Sequence, residues 1–311
     1  MLFVNLSKYR HLFCNFASVC SHIGYKMKKF LIFFLAAMLP IMVSAQAQIN
    51  TKKIKIADFT QKVTKVILTG NSFYDGALQE EVSARWRVSP YEFCSLKDFE
   101  GLKGSDKYYF LMITQGQFRK ESEPGIQFMT LIKGGQEAAK GIDSMLEVVT
   151  VPFAAADIPS GRELTFLPIL LDIIQDYTLE SMKRDLNNLG GLSSYTAGIN
   201  KTTDMAIHFA EEDLNSEVLE SIDYLKQFSK VTIDEADTVD ELVEVNAPNT
   251  LVSYTVAPGD PQQGSFCYKM LIGTQDHKLY FFRKHRIGKT LASGFLPEDI
   301  KRITAFRPKN K

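Results

Sequence analysis

The sequence predicts an α/β (α+β) protein made by tandem duplication of one β-α-β-α-β-β-(β)-α unit, with mixed sheets and helices packed on one face. Three observations predict it. The second half of the chain repeats the first: Val88 falls on Val231 at an offset of 143, and without a gap Leu96 falls on Val239, Phe99 on Leu242, Leu102 on Val245 and Tyr109-Phe110 on Val252-Ser253. Further along, Gly161-Arg162 and Phe166-Leu167-Pro168 are answered by Gly288-Lys289 and Phe295-Leu296-Pro297, each read as a helix with a proline in its first turn. Short β-branched runs alternate with helical stripes throughout. Finally, 45% hydrophobic and 23% charged residues suit a chain that buries a core.

The first copy opens on Val63 to Leu68, a strand ending at the turn Gly70-Asn71. Tyr74 to Trp86 is a helix, because Leu78, Val82 and Trp86 fall on one face. Val88 to Phe93 is a second strand. Ser95 caps a short helix, with Asp98 three residues on. Tyr108 to Ile113 is continuously apolar, as a central strand is, and Ile126 to Ile132 returns beside it. Met145 to Phe153 fits either a strand or a helix end. Leu167, Leu170, Leu171, Ile174 and Tyr177 stripe a long helix over Leu164 to Leu189, ended by Gly190-Gly191. That helix packs on its own sheet or between the copies.

The second copy follows the same order. Ala206 to Phe209 is a strand and Glu217 to Phe228 a helix; Val231 to Ile233 is the next strand, and Thr238 caps the helix after it. The strand Leu251 to Val256, a hairpin of Phe266–Ile272 with Lys278–Arg283, and a closing helix Pro297 to Ile303 complete it. The copies are expected to pack about a pseudo-two-fold axis, with a cleft or a continuous sheet between them.

The start of the chain reads as an export signal. Lys28-Lys29 precedes the apolar run Phe30 to Val43, and small residues follow at Val43-Ser44-Ala45 and Ala45-Gln46-Ala47. The run is short for a membrane span, and no later stretch approaches one. Cleavage near Ala45 or Ala47 would place the protein in the periplasm or outside the cell. The divisions are therefore 1–26, an over-called start (a long leader is the alternative); 27–45, signal peptide; 46–61, a flexible arm; 62–190, first repeat; 191–203, linker; and 204–311, second repeat.

Cleavage also removes Lys8, Arg10, Lys26, Lys28 and Lys29 and no acid, leaving 31 basic against 36 acidic residues, a net charge of −5. That is not the footprint of a nucleic-acid binder. The basic run Arg283-Lys284-His285-Arg286 reads as a solvated strand edge. Cys94 and Cys267 remain after cleavage; whether they pair is open, with two buried free thiols the preferred reading.

No metal-ligand spacing, phosphate loop, GxSxG or SxxK pattern is present, so no catalytic residue, metal ligand or cofactor is assigned. His208 reads as a packed strand histidine, His277 as an exposed turn residue, and Glu211-Glu212-Asp213 as a solvated helix start. Glu92 and Asp98 are the available carboxylate pair and read as an exposed rim. Trp86, Tyr91 and Tyr108, with Phe93 and Tyr109, are candidates for an aromatic ligand groove, although at these spacings a core is the preferred reading.

The strand–helix–strand pattern from Val66 to Ile113 resembles the amino-terminal domain of the Tol-Pal translocation protein and curli-secretion lipoprotein domains. The leader, Trp86-Arg87-Val88-Ser89-Pro90-Tyr91-Glu92-Phe93 and Tyr108-Tyr109-Phe110-Leu111 resemble uncharacterised exported proteins of Bacteroidetes. Neither resemblance implies an activity. The functional expectation is an exported, non-catalytic binding or envelope-assembly module with an unknown protein or small-molecule partner. The alternative is a hydrolase of envelope polymers, which requires titratable residues converging between the repeats.

Overall fold

The computed structural model describes residues 56–118, 120–183, 191–262 and 264–310. The expected export signal, most of the expected arm, and the end of the expected long helix with Gly190 lie outside them.

The first copy runs β1 (Val63–Ile67), α1 (Ser72–Arg85), β2 (Tyr91–Cys94), α2 (Leu96–Leu102), β3 (Tyr108–Gly116), β4 (Ile126–Lys133), β5 (Leu146–Ala155) and α3 (Arg162–Lys183). The second runs β6 (Ala206–Ala210), α4 (Ser216–Glu220), α5 (Ile222–Lys226), β7 (Val231–Asp234), α6 (Ala236–Glu244), β8 (Thr250–Val256), β9 (Phe266–Gly273), β10 (Leu279–Arg286) and α7 (Pro297–Thr304). Each copy forms one five-stranded mixed sheet, in the orders β2-β1-β3-β4-β5 and β7-β6-β8-β9-β10. In both, the first strand lies parallel to the second and third, and the last three are antiparallel. One topology occurs twice, so the α/β class and the duplication are seen directly.

The hydrogen-bonded register corrects the offset. Thr64 pairs with Tyr91 in the first sheet and Ile207 with Val231 in the second, so Tyr91, not Val88, is the structural counterpart of Val231. The same three-residue shift moves a cap. Ser95 and Asp98 form a capping box at α2, whereas α6 starts after Glu235, which makes no cap bond, and Thr238 sits inside the helix. The helix expected over Glu217 to Phe228 is broken at Ser221, whose φ of −110° and ψ of 30° leave the helical region. Pro168 lies well inside α3, where it removes one backbone bond, while Pro297 does stand at the first turn of α7. The segment that fitted strand or helix is β5, paired along β4. The expected linker is a 3-10 helix, Gly191–Thr202, packed on β10 with Leu192 and Ile199 buried.

α3 explains how the copies join. Its buried residues, including Phe166, Leu170, Ile173, Ile174 and Tyr177, form a stripe wide enough to cover most of the helix, with Asp172, Asp176 and Lys183 on the narrow face left toward water. A stripe that wide needs partners on more than one side. α3 packs on α1 and β5 of its own copy and on α6 of the other, in one core that also holds Val252, Tyr254, Met270 and Phe282 of the second sheet. In the first copy that shared core covers the sheet face bearing α1 and α3, while α2 packs with Phe110 and Met112 in a separate cluster on the other face. In the second copy the shared core holds α6, the counterpart of α2, and the outer face carries α4, α5 and α7. Unlike faces meet. A two-fold axis would bring like faces together, so the expected pseudo-symmetry is replaced by a head-to-tail stack.

The arm is also tied down at its end. Ile56 and Phe59 are fully buried, and Phe59 packs edge-on against Tyr109 at 4.9 Å. Asp58 accepts from Tyr109 Oη at 2.6 Å and pairs with Lys133 and Lys62. Burial would raise its titration point, but these donors outweigh it and hold the carboxyl down at about 2. A depressed folded-state value makes the contribution complete above the ordinary aspartate range near pH 4 and lost as the pH falls through about 2. Urea midpoints followed through that interval should fall with a steeper slope for the native chain than for Asp58→Asn; equal slopes would show that Asp58 is not the group titrating.

Candidate functional site

Beyond α3 the two sheets approach each other and leave a cleft of about 650 Å³. The first copy supplies Gly116, Gln117, Phe118, Phe128, Glu147 through Thr150 and Tyr177; the second supplies Tyr268, Phe282, Arg283 and Lys284, and the start of the 3-10 helix closes one side. Strand alternation places these side chains. On β10, Phe282 and Lys284 are two residues apart and share a face, and both meet Tyr268 of β9. Gly116 has no side chain because the ring of Phe128 lies where one would be: a Cβ there would stand 2.4 Å from Phe128 Cε2.

The walls are aromatic and joined across the copies. Phe118 lies 4.7 Å from Phe266, and Phe128 meets Tyr268 edge-on at 5.5 Å. The rim is charged. Lys284 Nζ sits 5.2 Å from the ring centre of Phe266 and 5.7 Å from that of Tyr268, close enough for cation–π attraction. Glu147 is the carboxylate lining the cleft among the described residues.

Elsewhere the copies are pinned by polar groups already paired with each other. Arg162, at the start of α3 and 7% exposed, donates from Nε to Asp240 at 2.9 Å and from Nη1 to Glu212 at 2.9 Å, with Asp213 at 3.4 Å. Asp213 is 2% exposed and also accepts from Ser253 Oγ at 2.6 Å and Thr255 N at 3.0 Å. Burial pushes the carboxyls of Asp213 and Asp240 up, against the pull of Arg162. Tyr254 stacks on Phe166 at 4.1 Å and donates to Phe153 O at 2.5 Å. Further along α3, Asp172 bonds His277 Nδ1 at 2.6 Å, and His277 Nε2 lies 3.2 Å from Asn246 Oδ1. Glu211-Glu212-Asp213 is therefore not a solvated helix start throughout, and His277 is not an exposed turn residue: both are drawn into the contact between copies, where α3 brings their partners.

On the outer face of the second sheet, Lys269 of β9 is buried against Asp299 of α7, which also accepts from Arg283 at 2.6 Å. Asp299 further accepts the N–H of Leu296, so this pairing holds α7 on the sheet. Cys267 lies nearby and accepts from Gly294 N; burial pushes its thiol up to about 12, far from nucleophilic range. Cys94 and Cys267 are both free.

The aromatic candidates do not converge. Trp86 is buried, with Nε1 donating to Ser89 Oγ at 3.0 Å. Tyr91 and Phe93 pack together at 5.6 Å on the central-core side, while Tyr108 packs against the separate cluster behind the first sheet. Tyr109 is fully buried. Glu92 pairs with Lys65, and Asp98 is consumed by its capping box. His208 is a hydrogen-bonded strand histidine, 2.8 Å from Asp234. The cleft residues Phe128, Tyr177, Tyr268, Phe282 and Lys284 come from four elements in both copies, and spacing along one element could not assemble them. The one visible signal was the basic run Arg283-Lys284-His285-Arg286, which reads from sequence as a solvated strand edge.

No group of three or more His, Cys, Asp or Glu able to hold a metal ion occurs among the described residues, and no helix among them is long and apolar enough to cross a membrane. No protein-family model, curated protein or solved structure matches the chain.

Proposed function

We propose that this chain is an exported, non-catalytic binding module of the cell envelope that takes its ligand in the cleft between its two copies. The cleft carries the reading: both copies build its walls, its volume is that of an ordinary ligand site, and it combines aromatic faces with a charged rim. The acids between the copies support binding over hydrolysis. Glu212, Asp213 and Asp240 are held by Arg162, and Glu147 in the cleft has no second described carboxylate lining it. Export rests on the leader pattern, and an envelope ligand follows from export.

The test is equilibrium binding of soluble peptidoglycan fragments and of short synthetic peptides to the purified chain, beside Ser193→Trp. Ser193 is exposed at the cleft mouth, so the indole adds bulk without opening the core. Binding of either probe class that Ser193→Trp lowers by about tenfold or more supports the reading. Binding unchanged by the substitution, or none to either class, removes it. Release of new reducing ends or amino groups from a bound probe would replace it with the hydrolase reading.

A further inference from the structure

We propose that the free edge of β10 at Lys284 docks an acidic peptide segment in extended conformation, which adds a strand to the second sheet. This deepens the binding reading and rests on the cleft being the ligand site.

β10 ends its sheet and has no strand on its outer edge; the 3-10 helix Gly191–Thr202 packs along that edge as far as Phe282, so only the end of β10 beyond Phe282 is left for a partner. The phase of its backbone is set by Thr196. Phe282 N–H donates to Thr196 Oγ1 at 3.0 Å, and the same hydroxyl donates to Phe282 O at 2.9 Å. Phe282 therefore turns both peptide groups away from β9. In an antiparallel ladder that orientation recurs every second residue, and the register from Phe281 to Arg286 is unbroken. Ile287 N donates inward to Ser265 O at 2.8 Å, as the same alternation requires. Lys284 N–H and C=O thus face outward, and no group of the described residues takes them. The 3-10 helix caps the edge at Phe282 through Thr196, and among the described residues the next rung, at Lys284, is untaken beside the cleft.

An open rung of this kind is what strand addition uses: main-chain bonds supply affinity and alternate side chains supply specificity. Charge selects the partner. Arg283 is already paired with Asp299 and Glu298. Lys284 and Arg286 are exposed, lie over the ring of Phe266, and have no carboxylate partner among the described residues. A lysine that only guarded the edge would extend into water; this one is laid against the aromatic wall, with its charge beside the open rung. An added strand bearing carboxylates at alternate positions would set them against Lys284 and Arg286. Alternate side chains of an added strand point to opposite faces, so acids at every second position would all fall on the Lys284 side, and apolar residues between them keep further charge off the other face.

The probes are a fluorescein-labelled octapeptide of alternating glutamate and valine, its lysine–valine counterpart, and the first peptide N-methylated at alternate residues, each titrated against the purified chain by anisotropy. The glutamate peptide should bind about tenfold or more tighter than either other probe, as expected when a charge pair or a pair of main-chain bonds is lost. Lys284→Glu should weaken it similarly. Lys284→Pro should do so too, because it deletes the outward N–H without touching a ladder bond. Equal binding of the glutamate and lysine peptides, indifference to N-methylation, or no binding would each overturn the proposal. If the peptides fail while peptidoglycan fragments bind and are displaced by Ser193→Trp, the edge proposal falls and the cleft reading stands.

Discussion

Replacing Arg162 by methionine should lower the unfolding free energy by about 3–5 kcal/mol, the usual cost of removing one partner from a buried ion pair. Methionine keeps much of the volume and some of the contact with Phe166 and Tyr254, so the loss reports on charge. Asp213 would keep Ser253 Oγ and Thr255 N but lose its cation at 2% exposure. Asp240 would lose its donor as well. The pH dependence has a definite sign. Burial already raises both carboxyls, so the folded state takes up a proton more readily than the unfolded chain. The deficit of Arg162→Met should therefore be largest at neutral pH and shrink on acidification, as the stranded carboxylates become neutral. Urea midpoints settle it, and Arg162→Met/Asp213→Asn should recover part of the loss. A deficit below about 1 kcal/mol at neutral pH would mean that water reaches Asp213 and that the pin contributes as little as a surface pair.

Expressed apart, as 46–203 and 204–311, neither copy should show a cooperative thermal transition. This is the larger effect, because it removes a core rather than one pair. Without α3, the second sheet would bare Val252, Tyr254, Met270, Ile272 and Phe282 to water. Without the second sheet, α3 would expose part of its wide apolar face. Each buried side chain of this size is worth roughly 1.5–3 kcal/mol, and several together exceed the net stability of an ordinary domain. Co-expression of the two pieces should restore a single sharp transition. A native-like melt of 204–311 alone would show that the outer cluster around Phe209, Phe281 and Phe295 suffices, and that the copies are independent domains.

Most of the fold was legible in the sequence, because its signals are local. Leu78 and Val82 mark a helix face, Ser95 with Asp98 marks a cap, and the apolar run from Tyr109 to Met112 marks a central strand; each depends on neighbours within a few residues. The register of the repeat was less legible. Apolar residues recur often enough that an ungapped match at 143 scores well, although the ladder places Tyr91 on Val231. Where His277 and Asp213 go was not legible at all. Both look like surface residues until α3, from the other copy, delivers Asp172 and Arg162 to them. The cleft shares that property: Phe128 and Tyr268 meet only because two sheets stack, and no periodicity within one copy records it.

The head-to-tail stack also bears on how the two copies could diverge. In a symmetric pair, equivalent positions meet equivalent surroundings, and the same substitution is tolerated or rejected in both. Here Phe99 and Val239 occupy matching places in α2 and α6, yet Phe99 packs in a small outer cluster and Val239 in the crowded centre beside α3. Similarly, α1 faces the centre while its counterparts α4 and α5 face outward. Once the units stacked this way, each position was selected against a different background from its twin. Identity between the halves would then erode even while the strand order was kept, and a chain with one topology written twice would come to carry two largely unrelated sequences.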